Sequence, residues 1–324
     1  METPKTSSLI PLTQPSYCYC GRIFTVHEMR QIRTWVEAHP KWYRQKIAQQ
    51  FCETFHWRKP DGGLKMMSCK VALLRMEKHQ LIRLPPPRSL HSNRSKKPIL
   101  TPLADPKPSL FLSIRKQDPL RLSPVQNQKD SSLWNQLIQK YHYLGYSPLP
   151  GAQIRYLIYL QNHLVALLGF GSAAWSTKPR DLFIGWSQEQ RLLNLHRVIN
   201  NARFLILPWI HAKNLASKIL ATLSKQIQKD WISRYHYAPV LLETFVEQNR
   251  FRGTSYQAAN WIYVGQTKGR GKKEKLNQQI LPIKNIFLYP LQKNFKQILC
   301  SINSPSNPSN PSNPSNVLLP CQSK

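Results

Sequence analysis

Carboxylates are scarce in this chain of 324 residues. Fifteen Asp and Glu stand against 46 Lys and Arg, a formal net charge of +31. Such a field disfavours cationic partners and favours polyanions, nucleic acid first and an anionic membrane surface second. Long apolar runs are missing too: no stretch reaches 18 apolar residues, and the opening METPKTSSLIPLTQ is polar and broken by proline. That pattern argues against a membrane-spanning helix and a secretory leader. The expected setting is cytoplasmic, with DNA as the partner and no membrane. Cys-x-x-Cys pairs are also absent. Cys18 and Cys20 sit one residue apart, which is poor geometry for structural zinc, and Cys52, Cys69, Cys300 and Cys321 read as reduced thiols.

What is present is enough apolar residue, 41%, for real cores, arranged in blocks. Residues 1–21 read as a flexible leader. Residues 22–84 read as three short helices, the first capped by Thr25 with Glu28 three positions on. The second spans Arg44 to Phe55 and the third Leu64 to His79, after a Pro60-Asp61-Gly62-Gly63 turn. A basic extended segment follows, so the block reads as a winged-helix-like DNA-binding domain. Arg44, Lys46, Lys65, Lys70 and Arg75 are its candidate phosphate contacts; a plain helical bundle with a solvated basic face is the other reading. Residues 85–130 read as a Pro-rich linker with one embedded strand near Leu110 to Ile114.

From residue 131 to 290 the pattern is mixed α/β, giving an α+β chain overall. Ile154 to Leu160 and Leu164 to Phe170 read as a hairpin, Phe183 to Trp186 as a strand, and Arg203 to Trp209 as a buried strand. Asn214 to Trp231 is an amphipathic helix. The block's centre is Tyr237 to Gly271: a strand at Val240 to Val246, a short helix within Asn249 to Asn260, and a strand at Trp261 to Val264. A basic exit follows. Residues 291–324 carry three Ser-Asn-Pro copies and read as disordered.

Glu243 is a carboxylate inside an apolar strand, which calls for a partner or a job. One reading pairs it with Arg203 or Arg252. The other makes Glu243, Tyr256 and Arg203 a catalytic group in one cleft, with Glu243 as base, Tyr256 as acid and Arg203 on a phosphate. Arg250, Arg252, Lys268, Arg270, Lys272 and Lys273 are further candidate phosphate contacts. Tyr141, His142, Tyr143, Tyr146, Trp175 and Trp186, interleaved with Arg155, Lys178, Arg180 and Arg191, suit stacking on unpaired bases or burial in a core.

Two resemblances add to this. The Asn249, Tyr256 and Asn260-Trp261 spacing after an apolar strand resembles the GCN5-related acyltransferase fold. Its phosphate-cradling turn would fall at His211 to Ala216, where Ala216 fits the pattern and His211 and Asn214 depart from it. That resemblance implies acyl-CoA as a cofactor and, through Mom-type members that act on DNA, a base-modifying transferase. The second resemblance rests on longer motifs: GRIFTVHEMRQI, HWRKPDGGLKMMSCK, LIRLPPPR, KYHYLGY, NNARFLILPW and LETFVEQNRFRGTSYQAANWIYVGQTKGRGK. These are similar to the DruA family, named for the Druantia anti-phage system, and cover most of residues 20–290. It implies DNA as the partner in a defence or mobile-element setting, alongside a transposase or helicase. A metal-dependent nuclease or transposase, using Mg²⁺ or Mn²⁺ on Asp181, Glu243 and one more carboxylate, stays open, as does a non-catalytic adaptor.

Overall fold

The computed structural model describes residues 9–88, 97–114, 119–269 and 281–302. The chain divides into two compact units, residues 1–93 with 305–324, and residues 94–304.

In the first unit, β1 (Ser16–Tyr19) and β2 (Arg22–Thr25) form an antiparallel hairpin. Residues 16–19 are therefore not part of a flexible leader. Cys20 and Gly21 both take positive φ, which makes the two-residue turn that a tight hairpin needs. Helix α1 (Val26–Ala38) begins with the expected capping box: the Thr25 hydroxyl accepts from the Glu28 N–H, and the Glu28 carboxylate accepts from the Thr25 N–H. Helices α2 (Arg44–Thr54) and α3 (Met66–Lys78) close a core around Phe24, Met29, Ile32, Phe51, Leu73 and Met76. The Arg22 guanidinium lies 4.8 Å from the ring centroids of Phe24 and Phe51 while it pairs with Glu28. Among the described residues the unit's hairpin precedes α1, and no hairpin follows α3, where a winged helix carries its wing.

The second unit opens with β3 (Leu110–Phe111), β4 (Leu120–Pro124) and α4 (Gln128–Tyr141). Strands β5 (Ile154–Leu160) and β6 (His163–Ser172) are the expected hairpin. Then come α5 (Lys178–Ile184), α6 (Gln188–Asn194), β7 (Val198–Ile206), β8 (Ile210–His211) and α7 (Leu215–Tyr235). The chain closes with β9 (Leu241–Glu247), α8 (Thr254–Gln257), β10 (Ile262–Gln266), β11 (Lys284–Pro290) and α9 (Phe295–Leu299). A mixed seven-stranded sheet runs β10-β11-β9-β7-β6-β5-β4. All its pairs are antiparallel except β7 with β9, the pair that α7 connects. Ile219, Leu223, Ile227 and Trp231 of α7 are buried on one face of that helix, as its period dictates. No helix among the described residues is long and apolar enough to cross a membrane.

Several boundaries differ from expectation for physical reasons. The linker expected over 85–130 contains β3, β4 and the start of α4. Strand β4 is an edge strand, short and ending in Pro124, and edges tolerate that composition. Phe183 to Trp186, expected as a strand, instead ends helix α5. Pro179 in the first turn and Gly185 in the left-handed conformation at the end are helix punctuation. The helix expected within 249–260 shrinks to α8 because Gly253 sits at φ +78°. Within the expected tail, α9 buries Phe295 and Leu299 beside Ile184, Val198 and Leu288; the Ser-Asn-Pro copies lie outside the described residues.

A side chain on Gly253 would meet the Phe287 ring at 2.5 Å in a left-handed backbone. Gly253→Ala is expected to cost about 2–4 kcal/mol, from overpacking plus backbone strain, as a lowered urea midpoint.

A candidate nucleic-acid interface between two splayed strands

Strands β7 and β9 pair only from Val198–Asn201 to Leu241–Thr244. Beyond that they part. Strand β7 follows β6, with a bulge at Ala202, and β9 follows β11. The gap is a cleft of about 750 Å³. It is lined by Asn200 to Ile206, Thr244 to Val246, the Arg250 to Tyr256 turn, and Tyr141 to Leu144 at the end of α4.

Alternation along β9 decides what reaches this cleft. Thr244 lies on the face of Phe287, Asn201 and Tyr256: its hydroxyl is 3.4 Å from the Tyr256 hydroxyl, which donates to Asn201 Oδ1 at 3.1 Å. Glu243, one residue earlier, points to the opposite face, and its side chain is 0% exposed. There its carboxylate accepts from Arg180 Nη1 at 2.8 Å and from the Ala174 N–H at 2.7 Å. Arg180 is equally buried and also donates to Asp181, which in turn pairs with Arg191 and accepts from the Trp186 indole. Burial pushes the Glu243 carboxyl up, against the pull of the Arg180 charge and the Ala174 N–H. The cation paired with Glu243 is therefore Arg180, neither Arg203 nor Arg252.

The single cleft expected to hold Glu243, Tyr256 and Arg203 is not formed. Arg203 and Tyr256 line the slot, and Glu243 does not. The bulge sets Arg203 opposite Gly169, on the α4 side, where it donates to Ser147 Oγ at 2.8 Å. Its Nε has no partner, nor has Asn201 Nδ2 or Asn200 Oδ1. Tyr256 is buried and pushed up to about 12, so its hydroxyl stays protonated and serves as a donor. At the mouth, His142 stacks on Tyr143, Tyr143 meets Phe251 at 5.6 Å, and the Arg250 guanidinium stands 5.2 Å over Tyr143. Burial first and the Arg203 charge second hold His142 down at about 4.

The family model described as Druantia protein DruA matches residues 75–280. The chain belongs to the DruA family. No curated protein matches it. Solved structures similar to about half of the chain include acetyltransferases. One is an N-acetyltransferase from Staphylococcus aureus Mu50, 11% identical, covering 53% of this chain and 98% of that one at a TM-score of 0.33. Another is a Bacillus subtilis acetyltransferase in complex with CoA, 8% identical, covering 54% and 100% at 0.33. A third is AAC(6')-Ib in complex with paromomycin and acetyl-CoA, 12% identical, covering 58% and 100% at 0.34.

In this family member the turn that would cradle an acyl-CoA pyrophosphate does not fit that group. Strand β8 runs into the turn's first residue, His211, and pairs in parallel with β3, and the Leu110 and Leu112 N–H groups donate to the Trp209 and His211 carbonyls. Phe111 stacks on His211, and Asn214 takes the left-handed conformation with no capping bond. No step through acyl-CoA is derived. No group of three or more His, Cys, Asp or Glu able to hold a metal occurs among the described residues.

The predicted phosphate contacts fall in both units. In the first, Arg44 pairs with Glu77 and donates to the Pro85 carbonyl, Lys46 stands 5.9 Å from the Trp42 ring centroid, and Lys70 donates to Gln45. Burial lowers Lys65, while Arg75 is exposed. In the second, Arg250 and Arg252 line the cleft, though Arg250 pairs with Glu247 at 2.9 Å, and Lys268 is exposed on a neighbouring groove. Arg270, Lys272 and Lys273 lie outside the described residues. Sequence reasoning passed over Asn200, Asn201, Phe251 and Lys284. Two adjacent asparagines inside an apolar strand were the available signal.

Removing one member of the buried pair leaves the other charge stranded. Arg180→Met is expected to cost about 3–5 kcal/mol by urea unfolding, and Arg180→Met with Glu243→Leu is expected to recover most of it. His142 is held neutral in the fold, so its contribution is present above its ordinary pKa near 6.5 and is lost as pH falls toward 4. His142→Gln is expected to flatten the urea midpoint across that window.

Proposed function

We propose that the protein is a DNA-binding and DNA-processing component of a DruA-type anti-phage or mobile-element system, gripping DNA through the cleft between β7 and β9. One observation carries this reading. Among the described residues, those lining that cleft include four cations, Arg203, Arg250, Arg252 and Lys284, beside exposed aromatic rings, and no carboxylate. Cations track phosphates and rings stack on bases, a combination suited to a polyanion with π-faces. The net charge of +31 is in keeping with it. In the first unit, α3 carries Arg75 exposed and Lys70 half-exposed, which supports duplex docking through that helix.

A second reading, a non-catalytic adaptor for a transposase or helicase partner, is favoured by the engagement of Glu243 and Tyr256 in buried bonds. End-labelled single- and double-stranded DNA incubated with the protein, with and without Mg²⁺ or Mn²⁺, separates the readings. Cut, joined or mass-shifted DNA supports processing; unchanged DNA from a tight binder supports the adaptor.

The binding reading itself makes a salt prediction. The observed association constant should fall steeply with salt on a double-logarithmic plot, and Arg252→Ala or Lys268→Ala should each lower the slope by about 1. Affinity that is flat with salt would overturn the phosphate-dominated grip.

A further inference from the structure

Resting on the DNA-binding reading above, we propose that the cleft seats a single unpaired nucleotide, its base inserted between the splayed strands β7 and β9 and its flanking phosphates held in the lysine-lined groove beside them.

The first observation is a set of stranded polar atoms. Asn201 is 5% exposed and Arg203 9%, yet Asn201 Nδ2 and Arg203 Nε have no partner, and Asn200 Oδ1 beside them lacks a donor. Each such buried orphan costs roughly 1–3 kcal/mol unless something fills it. By register Asn201 shares the Thr244 face while Asn200 and Arg203 share the other, so where the strands part these atoms border the cleft from both faces, and a flat ligand with acceptors and a donor on its edge suits such a slot. The edge of a nucleobase has both. A bare phosphate has acceptors alone, and a hydrocarbon has neither.

The second observation is the rim. Tyr143 is 37% exposed and Phe251 51%, and the two rings touch at the mouth with Arg250 over one of them. Rings left in water beside cations form a stacking platform for an unpaired base. The cleft volume of about 750 Å³ falls in the range of small-ligand sites, about 300–1,000 Å³, which suits one nucleotide and not a stacked duplex.

The third observation is what adjoins the cleft. A second cavity of about 1,260 Å³ shares Asn200, Phe245 and Lys284 with it. Lys178, Lys268 and Lys284 line this groove, and no carboxylate does among the described residues. Asn200 and Glu243 are register partners on β7 and β9, so the groove lies on the face where Glu243 is already neutralised by Arg180. Phosphates entering there meet lysines and, among the described residues, no free negative charge.

The test uses the full chain and two end-labelled probes of equal length and charge, an oligothymidylate and an abasic oligomer, followed by fluorescence anisotropy. The oligothymidylate should bind about 5- to 150-fold tighter, the equivalent of roughly 1–3 kcal/mol of base stacking. Tyr143→Ala with Phe251→Ala should abolish that ratio and leave abasic binding within about twofold. Both side chains are exposed, and an unchanged urea midpoint verifies the fold. Lys268→Ala should weaken both probes equally. Equal affinity of the unaltered protein for the two probes overturns the base seat while the DNA-binding reading stands. Binding of neither probe, nor of duplex DNA, overturns that reading and the seat with it.

Discussion

A short length of parallel pairing, Val198–Asn201 with Leu241–Thr244, joins the two halves of the large sheet. Everything of functional interest follows from its stopping there. Up to Asn201 the strands exchange backbone bonds and bury Val198, Ile199, Leu241 and Leu242. After the bulge at Ala202 the backbone turns its partners elsewhere, and the side chains that follow border a gap. The same alternation then sorts the polar residues. Glu243 goes to a dry face and is locked to Arg180; Thr244 goes to the Tyr256 side. A carboxylate that looks catalytic in sequence thus holds Ala174 and the start of α5 against the central strand, and the slot is left to amides, rings and cations.

Much of the architecture was legible. The capping box at Thr25 and Glu28, the hairpin around Gln161 to His163, and the apolar period of α7 all report local rules, and local rules hold. The elements misread were those where composition and context disagree. Strand β4, in a Pro- and Lys-rich stretch, is a strand because β5 offers it an edge. Helix α5 reads as a strand by its Leu-Phe-Ile run, but Pro179 and Gly185 set its limits. The site was legible only in part. Its cations and rings were visible, and Arg203 and Tyr256 both line the cleft. The partner of Glu243 was not visible, because pairing across 63 residues depends on which face each strand residue takes.

Charge distribution gives the second unit its character. Its few carboxylates are largely spent internally: Glu243 and Asp181 on Arg180, Glu247 on Arg250, and Asp230 on the Tyr156 hydroxyl and Gln226. Of the cations lining the two cavities that share Asn200, Phe245 and Lys284, Arg250 is balanced by Glu247, while Arg203, Arg252, Lys178, Lys268 and Lys284 pair with no carboxylate among the described residues.

The sheet also carries a seam. Strands β4 to β7 form one antiparallel meander, whereas β9, β11 and β10 form an antiparallel group in which β11 lies between its two predecessors. The short parallel stretch, reached through the whole of α7, joins them with four register pairs, against seven in each of the β6–β7 and β9–β11 ladders on either side. The cleft thus opens where the least backbone pairing holds the sheet together, and a hinge between the two groups would widen it at the smallest loss of ladder bonds.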